Sequence, residues 1–118
     1  MIKNLYHYRA IFRSNYDGDT VTLDLDLGLN VWLNQLKVRL FGIDTPELRA
    51  RDEEEKEAAR IARDFVARRI PKDSEVVVKT HKDKTGKYGR LLGTIYLPTG
   101  ESINQLLVDQ GLAKEVDY

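Results

Sequence analysis

The sequence predicts an α+β domain, mainly β, with five strands and two helices. Three observations carry this. Apolar residues alternate with polar ones in several short runs, the period of a half-buried strand. Two other stretches repeat apolar residues every three or four positions, the period of a helix. The runs come in the order three strands, helix, two strands, helix. A length of 118 residues predicts one domain, residues 1–118.

Residues 5–16 are rich in aromatic and β-branched side chains and read as the first strand. Val21, Leu23, Leu25 and Leu27 alternate with Thr22, Asp24 and Asp26 and form the second. Asp17-Gly18 between them is a short hairpin turn. Leu36, Val38 and Leu40 alternate with Lys37 and Arg39, a third strand ending near Phe41. Next, Ala58, Ile61, Ala62, Phe65, Val66 and Ile70 make one apolar helical stripe. Asp52 caps this helix with Glu55 three residues on, the acids of its first turns suit the helix dipole, and Pro71 ends it. Val76-Val77-Val78 centre a fourth strand at 75–80, and 90–97 is a fifth, stopped by Pro98-Thr99-Gly100. In the second helix Ser102 and Gln105 form a capping box, Ile103, Leu106 and Leu107 face the core, and Gly111 is the left-handed stop. Five strands with a helix between the third and fourth, and another after the fifth, fit the OB-fold barrel.

Composition narrows the chemistry. Hydrophobic residues at 42% and charged residues at 32%, with 3 Pro, are globular rather than disordered. No apolar run approaches the roughly 20 residues that cross a membrane. The absence of Cys excludes disulfide scaffolds, thiol nucleophiles and Cys-type zinc sites, and two lone histidines, His7 and His81, exclude a His-rich metal site. Met1-Ile2-Lys3-Asn4 starts no signal-peptide core, so the expected location is cytoplasmic or phage-encoded and intracellular, secreted if a leader was removed. The 19 basic residues balance 19 acidic ones, which argues weakly against a generic nucleic-acid coat protein. Locally, though, Lys79, Lys82, Lys84, Lys87 and Arg90 against Asp83 leave a net charge of +4, enough to hold a phosphate chain.

Four segments hold chemistry: Asp17-Gly18-Asp19-Thr20 at the first hairpin, Arg39 on the third strand, Asp44-Thr45-Pro46-Glu47 just after it, and Lys87-Tyr88-Gly89-Arg90 opening the fifth strand. Asp19 and Asp44 are hard oxygen ligands of the kind that suits Ca²⁺. The plainer reading makes Asp17 and Asp19 turn residues and Asp44 an N-cap or Asx-turn. Arg39 and Arg90 are either surface cations or a pair of planar forks on one phosphate, stabilising developing negative charge. Glu47 is either a first-turn acid or a base, and Tyr88 either a rim aromatic or a nucleotide contact. An EF-hand fails on spacing after Asp24, Asp26 and Gly28, and a P-loop fails because Gly86-Lys87 is followed by Tyr88 and His81 stands where its first glycine belongs.

These blocks, DGDT at 17–20, RLFGIDTPE at 39–47 and KYGR at 87–90, with the tail NQLLVDQGLAK at 104–114, resemble the staphylococcal nuclease (thermonuclease) family over nearly the whole chain. The resemblance implies Ca²⁺ held by Asp19, Asp44 and the Thr45 carbonyl. It implies Arg39 and Arg90 on the transition state, Glu47 as general base or water-orienting group, and Lys87 and Tyr88 on a nucleotide phosphate. It also implies a monomeric, calcium-dependent nuclease that cleaves DNA and RNA to 3′-phosphate ends and prefers single strands. Two departures stand out. The third helix and base-stacking tyrosines of longer members are not matched before Tyr118, and the connection from Asp19 to Arg39 is longer, with extra residues at 29–34 where Trp32 is expected to cover the barrel. The alternative is a weak or silent nucleic-acid-binding OB module, disfavoured because Asp19, Arg39, Asp44, Glu47 and Arg90 are all present. A protein-interaction barrel would want an aromatic cage, which 8% aromatic residues without clustering do not supply.

Overall fold

Alternation builds the barrel wall. In the computed structural model, which describes residues 5–82 and 91–117, the strands are β1 (His7–Asn15), β2 (Thr20–Gly28), β3 (Val31–Leu40), β4 (Ile43–Asp44), β5 (Glu75–His81), β6 (Leu91–Tyr96) and β7 (Lys114–Glu115). The helices are α1 (Glu53–Arg69) and α2 (Ile103–Asp109). Strands β1–β2–β3–β6–β5 close a barrel. Ala10, Phe12, Val21, Leu23, Leu25, Val38, Leu40, Val76, Val78 and Ile95 point inward and are buried, as the period-2 pattern requires. Every pairing is antiparallel except β3 with β6, which runs parallel over Val38–Leu91, Arg39–Leu92 and Leu40–Gly93. The expected five-stranded barrel with two helices is what forms.

Helix α1 lays Ala59, Ala62, Phe65 and Val66 on the core, and Ile70 beyond its end is buried too. The stripe is rotated from its expected line: Ala59 rather than Ala58 is fully buried, and Ile61 is exposed. The buried arc runs from Phe65 through Ala62 and Val66 to Ala59, and Ile61 falls about 40° beyond Phe65, past the edge of that arc. Asp52 caps the helix as expected, but its carboxylate accepts from the Glu54 amide at 3.0 Å rather than from Glu55. In α2 the Ser102 hydroxyl accepts from the Gln105 amide at 3.0 Å, Ile103 and Leu107 are buried, and Gly111 takes φ 72°.

The third strand is longer than expected, beginning at Val31 instead of Leu36. Leu29 and Asn30, at φ 55° and 62°, make a two-residue turn of the kind that matches strand twist. Gln35, at φ 57°, is the extra residue of a bulge opposite Asp24. Trp32 lies on the outer face of the resulting hairpin, with the Arg9 guanidinium 5.6 Å from its ring centroid. It therefore covers the β2–β3 hairpin, where Leu27, Leu29, Val31 and Leu33 are also exposed, and not the barrel interior.

Asp24 pins the bulge. Its carboxylate accepts from the Gln35 amide at 2.8 Å and from Arg13 Nε at 2.8 Å, while Arg13 also reaches Asp73 at 2.6 Å. The Gln35 amide first, then Arg13, hold the Asp24 carboxyl below its ordinary value. The native protein therefore releases this proton at lower pH than the unfolded chain. The stabilisation is complete above the unfolded value near 3.9 and fades as pH falls through the lower native value. Urea denaturation of the protein and its Asp24→Asn variant is expected to show a stability gap at neutral pH that narrows below about pH 4.

A second sheet was not expected. Strands β4 and β7 pair antiparallel, Ile43 with Glu115 and Asp44 with Lys114, and the Val116 amide donates to the Gly42 carbonyl at 2.9 Å. The tail is thereby tied to the segment carrying Asp44.

Candidate active site

The β1–β2 turn, the end of β3 and the β4 segment meet at one rim of the barrel. Asp17, Asp19, Thr20, Arg39, Asp44, Thr45 and Glu47 line a cleft of about 190 Å³ there. Strand register explains the meeting. Thr20 stands directly across from Arg39, and the Leu40 amide donates to the Asp19 carbonyl at 2.8 Å. Arg39 alternates with the buried Val38 and Leu40, so its side chain leaves the barrel on the side where Asp19 waits.

Arg39 bridges the two aspartates. Its Nη1 lies 2.5 Å from Asp19 Oδ2, and its Nη2 donates to Asp44 Oδ1 at 2.9 Å. The arginine side chain is only 12% exposed and that of Asp19 9%, so this pair is shielded, whereas the Asp44 side chain is open to solvent. Nη1 is close to Asp19 but off hydrogen-bond alignment, and no hydrogen-bond partner is found for it among the described residues. Asp19 itself is buried. Its Oδ2 accepts from the Thr45 amide at 3.0 Å, and its own amide donates to Asp17 Oδ1 at 3.0 Å. Asp44 is exposed beyond its contact with Arg39, and Glu47 is exposed at the cleft mouth.

Asp17 is the lining carboxylate that sequence reasoning treated as a turn residue alone. It is both: it caps the Asp19 amide and faces the same cleft. Burial, then the Asp19 charge, push its carboxyl up to about 6. The signal was in the sequence, since two acids separated by a single glycine in a tight turn crowd their charges.

Four carboxylates thus share the cleft with one guanidinium among the described residues. Among the described residues its lining holds no nitrogen or sulfur ligand of the kind zinc prefers. Thr45 Oγ1 is buried without a hydrogen-bond partner among the described residues. No three His, Cys, Asp or Glu side chains among the described residues are gathered tightly enough to enclose an ion. A ligand set of two carboxylates, one carbonyl and water does not need three, so the hard, acid-rich donors fit a Ca²⁺-class cation. Asp19, Arg39, Asp44, Thr45 and Glu47, all singled out from the sequence, come together here. Lys87, Tyr88 and Arg90 lie outside the described residues, as does Tyr118.

Gly18 locks this turn against α1. A Cβ there would stand 2.8 Å from Ala62 Cβ and 2.9 Å from Thr45 Cγ2. Gly18→Ala is expected to cost about 1–3 kcal/mol in urea denaturation and to disturb the cleft, because Thr45 carries the amide that holds Asp19.

Comparison with known proteins points the same way. The family described as "Staphylococcal nuclease homologue" matches residues 37–118, more than half of the chain. A thermonuclease of Staphylococcus hyicus is 30% identical over 102 residues, 86% of this chain and 56% of that protein. Endonuclease YhcR of Bacillus subtilis (strain 168) is 28% identical over 111 residues, 90% of this chain but 9% of that protein. The chain spans just over half of the first relative and a small part of the second. With the DGDT turn, the arginine of β3 and the DTPE segment meeting in one cleft, the chain belongs to the staphylococcal nuclease homologue family.

Proposed function

We propose that the chain is a calcium-dependent nuclease that hydrolyses phosphodiester bonds of DNA and RNA and leaves 3′-phosphate ends. The observation that supports this best is Arg39 held between Asp19 and Asp44 in a cleft that also takes in Glu47. Asp19, Asp44 and the Thr45 carbonyl would hold Ca²⁺, which as a Lewis acid would polarise the phosphate. Arg39 presents two donors to the phosphate oxygens and meets the charge that builds on them. Its two aspartate contacts orient the guanidinium in the cleft before substrate arrives. Glu47 orients the attacking water and takes its proton. By family resemblance Arg90 adds a second fork, and Lys87 and Tyr88 bind a neighbouring phosphate. The substrate in this reading is a single strand, and the working form a monomer.

The test is incubation of the pure protein with labelled single-stranded DNA and RNA in Ca²⁺ or EDTA, with end-group analysis. Cleavage to 3′-phosphates in Ca²⁺, lost in EDTA and not restored by Zn²⁺, is the expected result. Full cleavage in EDTA would overturn the metal assignment. Binding without cleavage in Ca²⁺ would make the protein a silent nucleic-acid-binding module.

A further inference from the structure

The outer face of the barrel beside the cleft carries a second feature that the proposed chemistry does not use. Ser14, Asn15, Tyr16, Thr20, Thr22, Lys37 and Arg49 line a trough of about 460 Å³, large enough for a nucleotide-sized group. It shares Thr20 with the cleft that holds Asp19 and Arg39.

Register makes the trough a continuation of the cleft. Ser14, Thr22 and Lys37 stand directly across from one another on β1, β2 and β3. Thr20 and Arg39 form the next row on the same face. The rows are two residues apart along each strand, about 6.6 Å. One extended sugar–phosphate unit spans that step.

Charge separates the two cavities. The cleft holds four acids, whereas among the described residues no acid lines the trough. Lys37 and Arg49 are exposed and form no ion pair among the described residues, unlike Arg9, Arg13, Arg39, Arg60 and Arg63. The hydroxyls of Ser14 and Thr22 add donors of the kind that contact phosphate and sugar. Tyr16, 57% exposed at the trough edge, offers a face on which a base can stack.

We infer that this trough is a phosphate-and-base subsite for the nucleotide next to the one in the cleft, with Lys37 and Arg49 as its cations and Tyr16 as its stacking surface. The inference rests on the nuclease reading and sharpens it. The substrate is a single strand laid across β3, β2 and β1, because its base must leave a partner strand to reach Tyr16.

The test is fluorescence anisotropy of a fluorescein-labelled oligothymidylate of about a dozen nucleotides, in EDTA, across a range of NaCl. Removing two phosphate contacts in a Lys37→Gln/Arg49→Gln variant should weaken binding roughly tenfold at low salt. It should also flatten the log–log salt slope by about 1.4. Lys37→Arg/Arg49→Lys should restore the slope, and Arg68→Gln/Lys72→Gln, which removes the same charge elsewhere, should leave it unchanged. Tyr16→Ala should weaken binding without changing the slope. An unchanged slope in the Lys37→Gln/Arg49→Gln variant, an equal loss in the Arg68→Gln/Lys72→Gln control, or no binding by the unaltered protein would each overturn the subsite. Cleavage of the same strand in Ca²⁺, followed separately on gels, decides the nuclease reading whichever way the binding result falls.

Discussion

Arg39→Lys is expected to lower kcat by about 10²-fold or more, with the fold intact. The arginine uses two nitrogens at once, one against Asp19 and one on Asp44. An ammonium is a single point on a flexible stem and cannot hold both acids in a fixed plane. Charge is conserved in the substitution, so a loss of turnover measures the lost fork rather than a lost cation. The side chain leaves the barrel between Val38 and Leu40, whose burial does not depend on it. Circular dichroism should therefore show the barrel retained, urea denaturation a loss of stability from the weakened contact with buried Asp19, and kcat/KM on DNA a collapse far beyond either. Turnover near that of the unaltered protein would return Arg39 to the role of a structural cation.

Asn104→Ala is expected to cost about 3 kcal/mol or more, the largest stability loss foreseen from a single polar side chain here. Asn104 is buried on the first turn of α2. Its carbonyl oxygen accepts from the Ile95 amide at 3.1 Å, and its amide donates to the Phe41 carbonyl at 2.9 Å and the Gly93 carbonyl at 3.1 Å. One side chain thus satisfies backbone groups on β6 and at the exit of β3. Truncation removes a partner from the Ile95 amide and the Phe41 carbonyl, at about 1–3 kcal/mol each where water cannot enter, while the Gly93 carbonyl keeps the Phe41 amide at 2.8 Å. Urea denaturation measures the loss directly. A change below about 1 kcal/mol would mean that water replaces the side chain.

Much of this was legible because the residues that decide it follow simple periods or sit in compact motifs. Leu23 and Leu25 alternate cleanly and fell on the core. The DGDT turn, Arg39 and the DTPE segment, singled out in the sequence, line one cleft. What escaped the sequence has physical causes. Val31 to Gln35 do not alternate, since a bulge at Gln35 breaks the period and Leu29, an unusual residue for a positive φ, hides the turn. Ile61 looked like core because a stripe is read from spacing alone, whereas the neighbouring strands decide which face of α1 is covered. Strands β4 and β7 have two residues each, too short for any period to show. The role of Asp17 required knowing that the turn folds its carboxylate into the same cleft as Asp19.

The two-residue pairing of β4 with β7 has a consequence for the order in which the site comes together. Asp19 and Arg39 are brought side by side by the β2–β3 hairpin, a local event with little loop-closure entropy. Asp44 is steadied by Lys114, seventy positions along the sequence, through a sheet of two strands with two residues each. Contacts between such distant segments form late in folding, and short ladders of this kind open with less free energy than a barrel. The pairing of Asp19 with Arg39 therefore rests on the barrel hairpin, and Asp44 reaches Arg39 from only five residues away, while the β4–β7 ladder that ties the tail to Asp44 opens more easily than the barrel. Amide hydrogen exchange at Val116, whose amide donates to the Gly42 carbonyl, is expected to outpace exchange at Leu40, so that the protein samples a state with a closed barrel and an open β4–β7 ladder.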